Sequence, residues 1–178
     1  MADTNKLFCF GYGYSCSFLG EALKKAGNWS LSGTTRSMTK RTLLRAHGVD
    51  AHIFDKEKPL GDALAVLADT THCLVSTPPD SEGDLVFQAH ADDIVHLMPK
   101  LKWLGYLSTT GVYGDRDGAS VDETAEIRPT AIRGTRRAIA EEQWLSLYRT
   151  RGLPVHIFRL AGIYGPGRSA IDSVRVGI

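Results

Sequence analysis

The chain has no surplus of either charge, and this limits the partners it would attract. Its 21 basic and 20 acidic side chains leave a formal net charge of +1 at pH 7. Nucleic acids and anionic membranes attract proteins mainly through a surplus of Lys and Arg, so this balance predicts neither partner. Four arginines do cluster, but Glu141 and Glu142 offset their charge. Nucleic-acid binding is therefore the weakest of the functions that we consider for this chain. The four are Arg128, Arg133, Arg136 and Arg137.

Cysteines are few and long apolar runs are absent. Cys9, Cys16 and Cys73 are scattered, which is typical of buried thiols in a reducing compartment and not of a disulfide framework. No apolar run reaches the length of a membrane span, and the first residues lack the pattern of a signal peptide. The six histidines show no metal-ligand spacing. We therefore expect a cytoplasmic protein with no metal site and no membrane partner.

What the chain does contain is a strand, a glycine turn and a helix within residues 6–27. Residues 6–10 have the composition of a strand, Gly11 and Gly13 form a Gly-x-Gly turn, and an apolar spacing typical of a helix follows. In a dinucleotide-binding fingerprint, the first glycine permits the tight turn. The second lets the cofactor pyrophosphate approach the backbone at the helix N-terminus. Cys16 occupies the third glycine position, so an ordinary strand–turn–helix is the alternative.

Strands alternate with helices along the chain, which predicts an α/β fold with a parallel sheet and right-handed crossovers. Because the glycine turn follows the first strand, we expect a Rossmann-type doubly wound sheet in the order 3-2-1-4-5-6. The prediction is one three-layer α/β/α domain over residues 1–178. The predicted strands are residues 6–10, 29–34, 50–54, 72–77, 103–108 and 154–160. The predicted helices include residues 60–68, one from Asp84 to about Met98, and one from Thr130 to about Arg151 that stops at Gly152.

The residues after the second strand indicate which dinucleotide is preferred. NAD sites usually carry Asp or Glu there to bind the ribose hydroxyl, but this chain has Thr34, Thr35, Arg36 and Ser37. An arginine pairs with the 2′-phosphate of NADP and stacks on adenine, so NADP is favoured over NAD. The alternatives are that Arg36 is a solvated loop cation and that Asp55 is a turn residue, not an acceptor for the adenine amine. The predicted cofactor-binding residues are Gly11, Gly13, Tyr14, Ser15, Cys16, Arg36, Ser37, Asp55, Thr77 and Pro78.

Three further segments resemble a known family. Residues 107–115 resemble the strand-end motif of the extended short-chain dehydrogenases, the NAD-dependent epimerase/dehydratase family, and the Gly-x-Gly spacing resembles its atypical branch. Residues 128–144 resemble the helix of that family that carries Tyr-x-x-x-Lys, and residues 158–168 resemble its sixth-strand motif. The resemblance covers nearly the whole chain. It implies a nicotinamide dinucleotide cofactor and an oxidoreductase that acts on a carbonyl or hydroxyl of a small polar substrate, such as a sugar nucleotide.

The chain departs from the family at the catalytic pair. Arg133 occupies the tyrosine position and Arg137 the lysine position, with Glu141 four residues further on. The tyrosine transfers a proton to or from the substrate, whereas a guanidinium stays protonated and cannot act as that acid or base. As cations, Arg137 could still hold the nicotinamide ribose and Arg133 could still bind an anionic or carbonyl group. The alternative is two surface arginines, with Arg137 and Glu141 paired at i,i+4.

Thr109 falls at the position of the family's catalytic Ser or Thr and is the third predicted catalytic residue. A hydroxyl there orients a substrate oxygen or polarises a carbonyl. A structural threonine at a strand end is the alternative. Tyr113 and Tyr164 are candidate replacement acids, although nothing in the sequence places their hydroxyls at the nicotinamide.

In the family, a substrate-covering region follows the sixth-strand motif, and we expect this region to be absent or truncated after about residue 168. The chain would then be a fragment, or a shortened protein with an open cleft. We expect cofactor binding with little or no turnover, and self-association through apolar surface near residues 164–178. Two other classes of function stay open: a non-catalytic dinucleotide-binding or sensing module, and a protein-interaction domain that has lost the ligand.

Overall fold

Six parallel strands form one sheet in the order β3-β2-β1-β4-β5-β6. The structure, a computed structural model, describes residues 4–175 and 177. The predicted Rossmann-type fold and strand order are confirmed. The strands are β1 (Asn5–Phe10), β2 (Trp29–Thr35), β3 (Asp50–Ile53), β4 (His72–Val75), β5 (Trp103–Thr109) and β6 (Val155–Leu160).

Strand β4 is shorter than predicted, whereas the other strands begin and end within one residue of their predicted bounds. It ends at Val75, although the Ser76 N–H still donates to the Phe10 carbonyl at 2.9 Å. Pro78 and Pro79 follow and have no N–H to donate to a strand ladder, so the chain leaves the sheet there.

The helices lie in two layers around the sheet, and their ends follow the capping residues. Asp84 begins α4 as predicted, since its carboxylate accepts the N–H groups of Val86 and Phe87 at 3.0 and 2.9 Å. Gly152 ends α5 as predicted, with the left-handed φ of 68° that favours glycine. The short third helix begins late, because Asp62 caps it. The helices are α1 (Tyr14–Ala26), α2 (Met38–Ala46), α3 (Ala63–Leu67), α4 (Leu85–Leu97), α5 (Ile132–Arg151) and α6 (Ala170–Arg175), with a 3₁₀ turn at Thr110–Tyr113.

Each face of the sheet has its own apolar core, as a parallel sheet covered by helices on both faces requires. Alternate residues of β1 enter opposite cores: Phe8 and Phe10 pack in the core with Trp144 of α5, whereas Leu7 and Cys9 pack in the other, which Leu19 of α1 joins. No helix in the described part of the chain is long and apolar enough to cross a membrane.

Candidate functional site

A cavity of about 900 Å³ lies at the carboxyl ends of β1, β2, β3 and β4. Ligands of open α/β sheets bind at this edge, and the volume is within the usual range for small-molecule sites. Seven of the ten predicted cofactor-binding residues line it, and Lys40, Ser76 and Leu85 line it without having been predicted. The seven are Gly11, Gly13, Arg36, Ser37, Asp55, Thr77 and Pro78.

The fold of the turn requires a glycine at position 11, whether or not a ligand binds. Its φ is +82°, and a Cβ there would lie 3.1 Å from the Thr77 methyl carbon. Its N–H donates to Thr34 Oγ1 at 2.8 Å, which joins the turn to β2. Any larger residue would strain both the backbone and the packing against Thr77.

Gly13 has no such structural requirement. Its φ is −93° with an extended ψ, and a Cβ would have only the Gly11 carbonyl within 4 Å, at 3.8 Å. Other residues are therefore compatible with this backbone. The missing side chain instead leaves open space in the wall of the cavity, where the fingerprint needs room for a pyrophosphate.

The N-terminus of α1 adjoins this space and carries no side-chain cap, since Gly13 is the N-cap residue. Ser37, Asp62 and Asp84 cap α2, α3 and α4, while α5 resembles α1 in lacking a side-chain cap. The first N–H groups of a helix have no partner within it and favour an anion. At α1 these groups lie beside the open space left by Gly13.

Cys16 is fully buried, and its side chain lines neither of the cavities described in this section. It packs with Cys9 and Tyr12 in the core between α1 and the sheet. A hydrogen bond with the Cys9 thiol lowers the pKa of Cys16 in spite of its burial. Tyr12, the residue between the two glycines, was not predicted to be buried. Its ring lies against Gly20 of α1 and Gly33 of β2, where a Cβ would collide with it.

Arg36 and Lys40 place two cations on the β2 side of the cavity. Both side chains are exposed, and neither has a carboxylate within ion-pair distance among the residues that the structure describes. Ser37 lies between them and caps α2, accepting the Lys40 N–H at 3.2 Å. Two unpaired cations at the start of α2 favour an anionic group of the ligand.

Asp55 lines the cavity and also forms a turn. Its Oδ1 accepts the Glu57 N–H at 3.0 Å, as a turn aspartate does. Next to it, Lys56 pairs with Asp80 at 2.5 Å and with Glu82 at 3.4 Å. Lys56 is therefore neutralised by protein carboxylates, in contrast to Arg36.

Thr77 has a buried hydroxyl with no hydrogen-bond partner in the described part of the chain. A buried polar atom without a partner costs about 1–3 kcal/mol. Thr77 lies in the wall of the cavity, so a bound ligand with a polar group at this point would supply the missing hydrogen bond.

A second cavity of about 260 Å³ adjoins the first and shares Gly13 and Ser76 with it. Tyr14 and Ser15, two more predicted cofactor-binding residues, line it together with Arg137 and Arg168. No carboxylate side chain is among the described residues that line it. Two arginine side chains in this lining favour a ligand with an anionic group.

Arg137 reaches the end of β5 and is not a surface arginine paired with Glu141. Its Nη1 donates to Tyr106 Oη at 3.1 Å and to the Leu107 carbonyl. Its guanidinium carbon lies 5.5 Å from the centre of the Tyr106 ring. The alternative interpretation of Arg137 is therefore wrong, and the side chain faces the second cavity.

Glu141 is buried in a network below this cavity. It is 1% exposed and accepts hydrogen bonds from Arg159 at 2.9 and 3.1 Å and from the Ser108 hydroxyl. Arg159 also donates to Tyr113 Oη at 2.8 Å and lies 4.9 Å from the centre of its ring. The network joins β5, α5 and β6 and supports the floor of the site.

The remaining predicted catalytic residues lie outside both cavities. Thr109 Oγ1 accepts the Gly111 N–H at 3.1 Å, as a structural threonine at a strand end does. Arg133 is exposed on the first turn of α5. Tyr113 is buried and its hydroxyl accepts from Arg159, while Tyr164 is 85% exposed.

Asp84 was predicted only as a helix cap, but it is also a buried acid near the site. Its side chain is 0% exposed. Burial raises the pKa of Asp84 to about 6, although the N–H groups of Phe87 and Val86 and the charge of Arg137 oppose the rise. No group of three or more side chains suited to a metal ion occurs within the described residues.

Comparison with curated proteins relates the chain to one longer protein whose name gives no function. No protein-family model matches the chain. Protein YeeZ of Escherichia coli (strain K12) is 29% identical over 174 residues, which cover 92% of this chain and 60% of YeeZ. The chain therefore spans less than two thirds of that relative.

Solved structures share the fold. A functionally unknown conserved protein from Silicibacter pomeroyi DSS is 46% identical, with a TM-score of 0.80 over 93% of this chain and 56% of that chain. UDP-glucuronic acid 4-epimerase from Bacillus cereus, in complex with NAD, has a TM-score of 0.74 at 19% identity, over 90% of this chain and 57% of the epimerase. The fold is that of an NAD-bound epimerase. At 19% identity the likeness extends to the fold alone.

Proposed function

We propose that this chain is a dinucleotide-binding domain, over residues 1–178, that prefers NADP(H) to NAD(H). One observation carries the proposal: a single cavity joins the Gly-x-Gly turn and the uncapped start of α1 to the exposed cations Arg36 and Lys40. A ligand with a pyrophosphate at one point and a further phosphate at another matches this distribution of charge.

Each group of predicted residues would bind a different part of the dinucleotide. The N–H groups of Tyr14, Ser15 and Cys16 would hold the pyrophosphate, beside the space left by Gly13. Arg36 and Ser37 would bind the 2′-phosphate. The remaining contacts would come from Asp55 at adenine, and from Gly11, Thr77 and Pro78 along the wall of the cavity. The bound nicotinamide would supply hydride chemistry, and the protein residues would position it.

Catalysis is proposed only for the longer relatives and only by resemblance. In those relatives, the substrate region would lie in the part of the protein that has no counterpart in this chain. It would follow the position that corresponds to about residue 168. The substrate would be a small polar carbonyl or hydroxyl compound, for which the named substrate of the epimerase neighbour is one example. Arg137 would hold the nicotinamide ribose, and Thr109 and Arg133 would contact the substrate.

A non-catalytic dinucleotide sensor is the second candidate, and Arg133 favours it. A guanidinium at the tyrosine position cannot deliver the proton that the family reaction needs. The neighbouring hydroxyls do not replace it in this structure, because Tyr113 is engaged by Arg159 and Tyr164 faces solvent. Cofactor binding without hydride transfer would distinguish the sensor from the enzyme.

Titration calorimetry with NADP⁺ and NAD⁺ tests the proposal. We expect wild-type protein to bind NADP⁺ at least tenfold more tightly than NAD⁺, because a hydrogen bond to a charged group contributes about 1.5–3 kcal/mol. The Arg36→Ala variant should lose this preference and keep its affinity for NAD⁺. Arg41→Ala is the matched control, since Arg41 lies on α2 outside the lining of the cavity. Equal affinities of wild-type protein for both cofactors would refute the assignment.

A further inference from the structure

Arg168 lies directly over Tyr14, the first residue of α1. Its guanidinium carbon is 5.4 Å from the centre of the Tyr14 ring. Arg168 and Tyr14 both line the second cavity, which shares Gly13 with the first. The guanidinium is therefore held near the start of α1, where the proposed function places the pyrophosphate.

The chain around Arg168 is fixed by short contacts. The Gly165 N–H donates to the Arg168 carbonyl at 3.0 Å, and the Arg168 N–H donates back to the Gly165 carbonyl at 2.9 Å. The Tyr14 hydroxyl donates to the Pro166 carbonyl at 3.2 Å, and a Cβ on Gly165 would collide with that hydroxyl. This segment after β6 is thus seated on Tyr14, and its position limits where Arg168 can reach.

The contact with the Tyr14 ring does not use the N–H groups of the guanidinium as hydrogen-bond donors. Arginine carries five N–H donors in the plane of the group, and those of Arg168 make no hydrogen bond or ion pair within the described residues. Tyr14 is half-buried, and a cation over a ring that still meets water is stabilised only weakly. A phosphate offers charge-assisted, bidentate hydrogen bonds to the same group.

We propose that Arg168 is a pyrophosphate-binding residue, and that Tyr14 is the positioning residue that presents its guanidinium to the ligand. The proposal rests on the proposed function, since the pyrophosphate belongs to the dinucleotide. It adds a contact from the segment after β6, far from the glycine turn in the sequence. The dinucleotide is thereby bound from two sides, by α1 amides and by the Arg168 side chain.

Two partial ligands separate this contact from the one at Arg36. ADP carries the diphosphate without a 2′-phosphate, whereas 2′,5′-ADP carries the 2′-phosphate without a diphosphate. Measured by calorimetry, the affinity of Arg168→Ala for ADP and NADP⁺ should fall by about tenfold to a hundredfold. Its affinity for 2′,5′-ADP should stay within about twofold of wild type. Arg36→Ala should show the reverse pattern, with a lower affinity for 2′,5′-ADP and an unchanged affinity for ADP. Arg41→Ala should change neither.

Variants of Tyr14 test the positioning role. Tyr14→Phe keeps the ring and should retain ADP affinity within about threefold, whereas Tyr14→Ala should approach the loss seen for Arg168→Ala. Circular dichroism and thermal unfolding establish that each variant is folded. If wild-type protein binds NADP⁺ and Arg168→Ala binds ADP as tightly as wild type, the inference is wrong and the proposed function stands. If wild-type protein binds neither NADP⁺ nor ADP, the proposed function and this inference both fail.

Discussion

Arg137 and Glu141 lie one turn apart on α5 but pair with different partners. Arg137 donates to Tyr106 and to the Leu107 carbonyl of β5, whereas Glu141 pairs with Arg159 of β6 at 2.9 Å. An ion pair between them at i,i+4 would stabilise the helix by only ~0.3 kcal/mol. Glu141 instead meets several partners away from water, where it is 1% exposed, and Arg137 meets an aromatic ring and a backbone carbonyl. As a result, Arg137 faces the site and Glu141 supports its floor.

The two glycines of the turn should respond differently to alanine. Gly11→Ala places a side chain at a φ of +82° and against Thr77, and should lower the free energy of unfolding by about 1–2 kcal/mol. Gly13→Ala should leave the free energy of unfolding within ~1 kcal/mol of wild type or raise it slightly, since the backbone is compatible. NADP⁺ affinity should nevertheless fall at least about tenfold in Gly13→Ala, because its Cβ would occupy the ligand's space.

Urea denaturation and calorimetry on the two glycine variants measure these effects. A Gly13→Ala protein that is stable and binds NADP⁺ like wild type would show that the open space is not used by the pyrophosphate.

Two adjacent glutamates on α5 should differ strongly in their effect on stability. Glu141→Gln leaves the Arg159 charge without its buried partner and should lower the free energy of unfolding by about 3 kcal/mol. Glu142 pairs with Arg149 at the surface, where the two side chains are 69% and 51% exposed. Glu142→Gln should therefore change the free energy of unfolding by less than ~0.5 kcal/mol. Chemical denaturation at neutral pH gives both values, and similar losses in the two variants would contradict the network.

Asp84 should make stability depend on pH. Burial raises the pKa of this carboxyl from 3.8 to about 6 in the folded protein, so the folded state holds the proton more tightly than the unfolded state. The resulting stabilisation is complete below about pH 4 and is lost as the pH rises through about 6. Asp84→Asn removes this dependence while keeping an oxygen for the cap of α4.

The measurement is the free energy of unfolding of wild type and Asp84→Asn at several pH values. The free energy of unfolding of the variant, relative to that of wild type, should rise by on the order of 3 kcal/mol between about pH 4 and pH 7. A constant difference over that range would mean that Asp84 titrates normally in the folded protein.

The chain should bind cofactor without hydride transfer. General acid–base catalysis contributes ~10²–10⁴-fold in rate, and Arg133 cannot supply it. We expect no oxidation of NADPH above background with a panel of carbonyl compounds, followed by nicotinamide absorbance at saturating cofactor. Robust turnover would contradict this expectation, and its loss in Tyr113→Phe but not in Tyr164→Phe would identify Tyr113 as the proton donor.

The sequence was sufficient for the fold because its signals are local. Alternation of strands and helices, the glycine turn, the Asp84 cap and the Gly152 stop each depend on a few neighbouring residues, and all appear in the structure. The shared cavity of seven predicted cofactor-binding residues follows from the same logic, since parallel strands bring their carboxyl ends to one edge. Their roles toward a ligand stay predictions.

The contacts that the sequence did not reveal join distant segments. Tyr14 meets Pro166 across 152 residues, and Glu141 meets Arg159 across 18. No periodicity or motif encodes such a pairing, because it depends on which side chains the completed sheet brings together. Tyr12 was missed for a related reason: its burial depends on Gly20 and Gly33, two glycines that leave room for its ring.

Chemical-shift mapping of backbone amides tests the central claim most directly, because it locates the bound dinucleotide. On addition of NADP⁺, the largest shifts should occur at the amides of Gly13, Tyr14, Ser15 and Cys16 and at those of Arg36 and Ser37. With NAD⁺ the first group should shift and the second should change little, since only NADP⁺ carries the 2′-phosphate. Saturating NADP⁺ without shifts at the start of α1, or with shifts only outside the large cavity, would contradict the account.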